Sequence, residues 1–322
     1  MNRTQVMEQI APVLNFQVRP LSQDTRVGAD PESRAIYIRP SRGGQRLEIA
    51  KQGLDALLKC TGLTHTLIRR VSPETFGRAA SEALRGEKLA LMVQEEKVTD
   101  IVPASQRRRQ IDIERVFNTV DRIIPDADYQ RALMLPNHSV QVEVVGAEEH
   151  PVVRGDLVRA GVLFRVSPLG LENPLVQSYC TRLACTNGAV STDVVEQFGY
   201  GEGDDLWHWF RHSMGRAYRA IEKIIARFRQ LAQEEIPPED RANILSALLK
   251  RARLDQDSVR AVQAEALANP PTSSYEMFNL LTWATTHVVQ DAPSIVRGMN
   301  TAAEYSSEET HRRICPVCHR AR

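Results

Sequence analysis

The spacing of apolar residues changes from period two to a helical period in the middle of the chain, and this change limits the fold more than any other feature. Residues 139–145 alternate apolar and polar side chains, and 158–166 and 176–184 are two further apolar runs. Alternation of this kind is typical of half-buried strands. From Asp204 onward apolar residues recur every three or four positions, as in amphipathic helices. The sequence therefore predicts an α+β fold, in which an antiparallel β-sheet with packed helices is followed by a helical C-terminal half.

The remaining apolar spacing adds a hairpin and several helices. Residues 89–93 and 98–102 flank a short polar turn and predict a β-hairpin. Residues 47–58 have helical spacing, and Gly62 is placed to end that helix in the left-handed conformation that glycine favours. One helix of six turns is predicted across 210–231, because its apolar residues repeat without a break. Further helices are predicted at 111–124, 239–251, 256–268 and 274–289.

Composition along the chain predicts three parts. Residues 1–46 are rich in arginine, glycine, proline and serine, with one short candidate strand at 35–38, and predict a partly ordered N-terminal arm. Residues 47–305 are predicted to form the α+β domain, β-rich in its first part and helical after it. Residues 306–322 form a basic tail that contains cysteine and histidine.

Composition and motifs limit the classes of function. The chain has 322 residues, and its 41 Lys+Arg nearly balance its 40 Asp+Glu, so only local charge can indicate a polyanionic partner. Five scattered cysteines, no signal peptide and no apolar run of membrane-spanning length lead us to expect a soluble, cytoplasmic protein without a membrane partner. The sequence has no phosphate loop, nucleophile elbow or zinc-protease motif. It therefore predicts no particular reaction, although an acidic metal cluster assembled only in space stays open.

Three passages between residues 137 and 305 resemble a known family. Residues 161–170 are similar to its strand and following Ser-x-x-Gly turn, and residues 181–190 to its Arg-Leu-x-Cys-Thr-Asn-Gly run. Residues 275–282, followed by His287, are similar to its later helix with an Asn-x-x-Thr core. The family is the phage/plasmid-like domain of unknown function 932. The resemblance implies a mobile-element protein and, through kinship with single-strand annealing proteins, a role in DNA metabolism. The signature residues are Arg182, Cys185, Asn187, Gly188, Asn279 and Thr282.

Part of this signature also has a purely structural interpretation. Asn187 and Gly188 form the pair favoured in a tight turn where both residues need positive φ. Cys185, at the end of a predicted strand, is more typical of a small buried residue than of a nucleophile, because a reactive thiolate needs an electropositive setting.

A row of cations on the long predicted helix is the strongest local indication of a ligand. Opposite the apolar stripe, His208, His212 and several basic residues recur at spacings of three and four, and residues 211–229 hold six Lys/Arg against the single acid Glu222. Such a face can neutralise phosphates, and a loop of three arginines suits a single strand. The alternatives are a solvated helix face paired with acidic side chains from elsewhere in the fold, and a solvated loop. The candidate nucleic-acid contacts are Arg107, Arg108, Arg109, Arg211, Arg216, Arg219, Lys223 and Arg227.

Aromatic residues near this face have two interpretations. They either stack on bases or pack in the core, and Phe210 belongs to the apolar stripe. The residues concerned are Trp207, Trp209, Phe210 and Tyr218.

The C-terminal tail contains a candidate zinc site. Two cysteines at C-x-x-C spacing can grip one Zn²⁺ ion, with imidazole as a further ligand. A partner chain would complete such a half-site and give a metal-bridged dimer, whereas the alternative is a loose reduced tail. The candidate ligands are His311, Cys315, Cys318 and His319.

These observations predict a function without an assigned reaction. The first hypothesis is a mobile-element protein that binds or anneals single-stranded nucleic acid, with single-stranded DNA as its partner and a homo-oligomer as its assembly. The alternative is a non-enzymatic interaction protein that modulates a host or element protein.

Overall fold

The chain forms two compact units in the computed structural model. The described residues are 1–22, 24–30, 32–33, 35–40, 44–103, 111–135, 138–182, 187–190, 196–197, 205–307 and 311. The N-terminal unit comprises Ala11–Gln110 and Leu169–Glu172, and the C-terminal unit comprises Met1–Ile10, Ile111–Pro168 and Asn173–Arg322. The predicted boundaries at residues 46 and 305 do not coincide with this division, because strands from both sides of residue 46 share one sheet.

A six-stranded sheet organises the N-terminal unit. Its strands are β1 (Gln17–Pro20), β2 (Arg26–Ala29), β3 (Ile36–Arg39), β4 (Leu47–Ile49), β5 (Leu89–Gln94) and β6 (Lys97–Pro103). They lie in the order β1-β5-β6-β4-β3-β2, and the paired strands are antiparallel except for the parallel pair of β4 and β6. The predicted hairpin is confirmed as β5 and β6.

Four helices are described in the first 83 residues. They are α1 (Arg3–Leu14), α2 (Lys51–Thr61), α3 (His65–Arg70) and α4 (Pro73–Ala83). The predicted helix over 47–58 is wrong in its first residues, because β4 pairs with β3 and β6 there and these sheet contacts override the helical spacing. Its end is confirmed, since Gly62 caps α2 with φ 68°. Residues 1–46 contribute α1 and three strands.

A second sheet, antiparallel throughout its described pairs, forms the base of the C-terminal unit. Its strands are β7 (Asp128–Met134), β8 (Val140–Val153), β9 (Asp156–Val166), β10 (Leu175–Arg182), β11 (Asn187–Val190) and β12 (Glu196–Gln197). The order is β11-β10-β9-β8-β7, with β12 also pairing with β10. The three strands predicted in the middle of the chain are confirmed as β8, β9 and β10, although β8 runs eight residues beyond the predicted end.

Helices cover this sheet and form the last third of the chain. The described ones are α5 (Ile113–Ile123), α6 (Leu206–Arg219), α7 (Ile221–Gln233), α8 (Pro238–Ala252), α9 (Gln256–Ala268), α10 (Ser274–His287) and α11 (Ala292–Ser306). Four of the predicted helices are confirmed as α5, α8, α9 and α10, whereas α11 was not predicted. Within the described part of the chain no helix is long and apolar enough to span a membrane.

The predicted six-turn helix is wrong, because α6 and α7 are separate helices. Ala220 lies between them with ψ −3°, and its N–H donates to the carbonyl of Arg216. The apolar stripe continues across this break, but the two helices use it on different neighbours. Helix α6 packs on β9 and β10, whereas α7 packs on β8 and α10. Because of this break, one continuous apolar stripe packs against two different surfaces.

A core of the C-terminal unit lies between its helices and strands β8, β9 and β10. Phe228 of α7 packs against Tyr275 and Phe278 of α10, with ring centroids 5.5 and 4.9 Å apart. Burial of aromatic side chains on this scale is a major source of stability. A separate core in the N-terminal unit includes Ile38 and Phe76. Antiparallel-rich sheets followed by a helical C-terminal half confirm the predicted α+β fold.

Candidate nucleic-acid interface

Helix α6 presents its basic residues on the side opposite its packed residues. Its first turn is capped by Asp205, whose carboxylate accepts a hydrogen bond from the backbone N–H of Trp207. Hydrogen bonds from the N–H groups of His208 and Trp207 hold the pKa of Asp205 below its usual value. Phe210 and Met214 are buried against the sheet. The remaining face of the helix is therefore directed away from the core.

Four of the predicted cations are exposed on this face and its continuation. Arg211, Arg216 and Arg219 are exposed on α6, and Lys223 is exposed on α7. No carboxylate of the described residues lies within 4 Å of the charged groups of Arg211, Arg219 or Lys223. For these three cations, the described part of the chain therefore gives no support to the alternative of a solvated face paired with acidic side chains.

A groove beside α6 is lined by two of these cations, Arg211 and Arg219. It has a volume of about 440 Å³ and is lined by Ile123 of α5 and by residues of α6. The α6 residues are His208, Arg211, His212, Gly215 and Arg219. The imidazole rings of His208 and His212 are stacked, with centroids 6.3 Å apart and planes 9° apart. Two guanidinium groups and two imidazoles therefore present hydrogen-bond donors to one small space, which is a chemistry suited to phosphate oxygens.

Arg227, predicted as part of the same row, has a structural role instead. Its side chain is 10% exposed, its Nε donates to the carbonyl of Ser306 at 2.8 Å, and its Nη1 lies 3.1 Å from Glu234 Oε1. The neighbouring cation Arg229 donates to the backbone carbonyls of Pro151 and Val152. The row of cations that are available to a ligand therefore ends near Lys223, because Arg227 and Arg229, later on α7, hydrogen-bond to other parts of the fold.

The aromatic residues divide between packing and partial exposure. Phe210 is 1% exposed and meets Phe164 edge to face at 6.1 Å, which confirms its core role. Trp207 is half-buried, and the guanidinium of Arg115 lies 4.2 Å from its ring centroid. Arg115 thereby adds a cation to the N-terminal end of α6. Sequence reasoning missed Arg115, although its place on the polar face of an amphipathic helix was readable.

The tail and loop predictions fall mainly outside the described residues. This applies to Arg107, Arg108 and Arg109 in the loop, and to Cys315, Cys318 and His319 in the tail. Within the described part of the chain, no group of three or more His, Cys, Asp or Glu side chains is arranged to hold a metal ion. The zinc site stays a prediction.

His311, the remaining candidate zinc ligand, is packed into the fold. It is 1% exposed, its Nδ1 donates to the carbonyl of Tyr305 at 3.0 Å, and its Nε2 lies 2.9 Å from Glu234 Oε2. Both ring nitrogens are therefore engaged. A zinc ion bound at His311 would have to displace one of these contacts.

The predicted turn at Asn187 and Gly188 is wrong. These residues begin β11, where Asn187 is paired with Arg182 and Gly188 with Thr181 of β10. Their pairing with a neighbouring strand makes them part of a ladder and not the centre of a turn. Cys185 lies outside the described residues.

Two other signature residues, Arg182 and Asn279, line one cleft of the C-terminal unit. Arg182, at the end of β10, and Asn279, on α10, line a cleft of about 520 Å³ although they are far apart in sequence. Thr282 is buried one turn after Asn279, and its hydroxyl donates to the Asn279 carbonyl at 3.0 Å. Asp156 and Tyr275, which sequence reasoning did not select, line the same cleft.

Comparison with known proteins leaves the family open. No family model, no curated protein and no solved structure matches this chain. The resemblance to the phage/plasmid-like family therefore stays a prediction from the residues quoted above.

Proposed function

We propose that this chain binds single-stranded nucleic acid through a basic surface on and beside α6. This basic surface is defined by what its members share, an exposed or half-exposed side chain with basic nitrogen atoms at α6 or its continuation. Its members are the exposed basic residues of α6 (His208, Arg211, His212, Arg216 and Arg219), Lys223 in the first turn of α7, and Arg115 of α5, whose guanidinium lies over the Trp207 ring; Arg227 and Arg229, which hydrogen-bond to the fold, are not members.

One observation carries the proposal. Arg211, Arg219 and Lys223 are exposed cations with no carboxylate of the described residues within 4 Å, and two of them line the groove with His208 and His212. Cations without acidic partners keep their charge available to an external anion. A nucleic-acid backbone supplies phosphates at regular intervals, and neutralising them releases counterions, which favours binding. The evenly balanced total charge of the chain does not oppose this, because the attraction is local.

The preference for single strands has weaker but separate support. Trp207 and Trp209 are half-buried at the start of α6, next to the groove-lining His208. Proteins that bind single strands combine basic grooves with aromatic side chains on which bases stack. The resemblance to a mobile-element family implies the same substrate. Assembly as a homo-oligomer is part of the proposal.

A salt titration of binding tests the proposal. Fluorescence anisotropy with a labelled oligonucleotide, single- or double-stranded, gives the affinity across a range of salt concentrations. We expect tighter binding to the single strand and an affinity that falls steeply with salt. The double variant Arg219→Glu, Lys223→Glu should bind about tenfold more weakly or worse, and its salt slope should be shallower by about 0.7 for each lost phosphate contact.

The matched control is Arg260→Glu on α9. Its side chain is 74% exposed, so the variant reverses one charge away from the basic surface, and it is compared with the single variant Lys223→Glu, which makes the same charge change on that surface. We expect it to bind about as the parent does. Equal losses in the two variants would mean that only total charge matters, and unchanged binding in the double variant would show that the surface is wrong. No binding at low salt would reject the proposal and favour the alternative, a non-enzymatic interaction protein.

A further inference from the structure

The cleft at the end of β10 contains a buried carboxylate that is only partly satisfied. Asp156 opens β9, and its side chain is 4% exposed. Its Oδ1 accepts a hydrogen bond from Arg182 Nε at 2.7 Å. Its Oδ2 is buried and has no hydrogen-bond partner of good geometry among the described residues, although the hydroxyl of Tyr275 interacts with the same carboxylate. Burying a charged oxygen without a donor is costly, so this atom is placed to accept a hydrogen bond from a bound group.

The charges of the residues that line the cleft indicate whether the bound group is a cation or an anion. Asp156, Glu265 and Glu276 line it, and Arg182 is the one cation among its described lining residues. The carboxylate of Glu276 is fixed at the rim because it accepts from the backbone N–H and the hydroxyl of Thr272. Carboxylates outnumber cations among the lining residues, so an anion is disfavoured and a cation is favoured. This cleft is therefore unsuited to the phosphates proposed for the basic surface.

Two aromatic residues, Tyr275 and Trp283, form part of the cleft wall. Tyr275 is 3% exposed, and burial together with the negative charge of Asp156 raises the pKa of its hydroxyl well above the usual value. The phenol therefore stays neutral beside the carboxylate. Trp283 is half-buried and lines the cleft with Leu280, one helical turn before it on α10. An indole face attracts cations, and the apolar wall suits a hydrocarbon stem.

We infer that this cleft binds a small organic cation, a primary ammonium or guanidinium group on a hydrocarbon stem. The cationic group donates to Asp156 Oδ2, and the stem lies along Trp283 and Leu280. Arg182 acts as a positioning residue, because its hydrogen bond to Oδ1 fixes the carboxylate. The volume of about 520 Å³ suits an organic ligand of this size. The inference is independent of the proposed nucleic-acid function.

The cation could be a free amine or a lysine or arginine side chain of another protein, and the choice of probes separates the two. Isothermal titration calorimetry of the full chain with agmatine and spermidine tests free amines. N-acetyl-lysine methylamide and N-acetyl-arginine methylamide test protein side chains. The same lysine compound acetylated on Nε serves as the neutral control. We expect at least one cation to bind and the acetylated compound not to bind.

Two variants locate the site. Asp156→Asn keeps an acceptor for Arg182 but removes the charge, and we expect it to weaken cation binding about tenfold or more. Trp283→Leu keeps an apolar wall and removes the indole face, so it should also weaken binding. It serves as the second test if Asp156→Asn fails to fold, which thermal melting would reveal. The control Asp257→Asn removes a carboxylate that is 93% exposed on α9 and should bind as the parent does.

The outcomes separate this inference from the nucleic-acid proposal. Tighter binding of agmatine or spermidine would support a free amine, and tighter binding of the methylamides would support a protein side chain. If no cation binds at about 10 mM, or if folded Asp156→Asn and Trp283→Leu bind unchanged, the inference is overturned. The variant Arg219→Glu, Lys223→Glu should bind the amine normally, so loss of DNA binding in that variant leaves this inference standing.

Discussion

At the scale of single residues, Glu234 holds the end of the described chain to α7. One carboxylate oxygen lies 3.1 Å from Arg227 Nη1, and the other lies 2.9 Å from His311 Nε2. Burial raises the pKa of Glu234, but the hydrogen bond and charge of His311, with the charge of Arg227, lower it more. The result is a pKa below the ordinary value of 4.5. One acid thus contacts the Arg227 guanidinium and the His311 imidazole, which the fold has largely removed from water.

The variant Glu234→Gln should therefore lower stability at neutral pH. A carboxyl group whose folded pKa is depressed contributes stability above its unfolded pKa, and this contribution is lost as the pH falls through the folded value. The parent protein should lose this contribution to stability below about pH 4.5, whereas the variant lacks the contribution at every pH. Thermal melting of both proteins at neutral and acidic pH measures the difference. The control Glu235→Gln, at an exposed neighbouring position, should melt as the parent does, and equal melting of all three at neutral pH would contradict the role of Glu234.

At the scale of elements, helix ends are fixed by capping side chains that the sequence reveals. Helix α9 starts at the predicted residue because Asp255 accepts from the N–H and the hydroxyl of Ser258, at 2.8 and 2.9 Å. These hydrogen bonds, the backbone one first, hold the pKa of Asp255 below its ordinary value of 3.8. Asparagine offers the same acceptor without the charge, whereas alanine offers none.

This cap predicts a graded effect of substitution. Asp255→Ala should lower the melting temperature, and Asp255→Asn should stay near the parent at neutral pH, because only alanine leaves the first N–H groups of α9 without an acceptor. The parent should lose the carboxylate's contribution as the pH falls below about 3.8, while Asp255→Asn should not. Thermal melting against pH measures both effects. An alanine variant that melts with the parent would show that the cap contributes nothing to stability.

A helix or strand was predictable where the residues that indicate it lie within the element itself. Strands β8, β9 and β10 show in the alternation of their own residues, and α9 and α10 show in their periodicity and caps. Helix α11 was missed because its buried side includes small residues such as Gly298, Ala302 and Ala303, which give no apolar stripe. The break at Ala220 was missed because it is set by the two surfaces that α6 and α7 cover, not by a helix-breaking residue.

In the candidate sites too, only the features that lie within one helix or strand were predictable from the sequence. The cations of α6 were readable from spacing, because one helix carries them all. The removal of Arg227 from that surface was not readable, since it depends on Ser306 in a distant helix. The Asp156 cleft was not readable either, because its described lining residues come from three strands, two helices and the connection between those helices. Only folding brings Arg182 and Asn279 to one place.

At the scale of the whole molecule, the two units have separate cores, and each contains a glycine at which a side chain would overlap a backbone carbonyl oxygen of a strand. A Cβ on Gly53 of α2 would overlap the carbonyl oxygen of Val98, and a Cβ on Gly161 of β9 would overlap the carbonyl oxygen of Val144. Neither backbone oxygen can move without disturbing its sheet. Each clash therefore acts on one unit, Gly53 on the N-terminal unit and Gly161 on the C-terminal unit.

We expect the substitutions Gly53→Ala and Gly161→Ala to destabilise different parts of the chain. Each should cost about 1–3 kcal/mol through overpacking in its own unit. Hydrogen exchange followed by mass spectrometry should show Gly53→Ala losing protection in β4, β5 and β6, and Gly161→Ala losing it in β8, β9 and β10. Each variant is the control for the other. Gly215→Ala adds a further control, because the nearest atom to its Cβ is 3.7 Å away and alanine favours the helix. If both clashing variants lost protection equally throughout the chain, the two units would unfold as one, and their separate cores would not be separate units of stability.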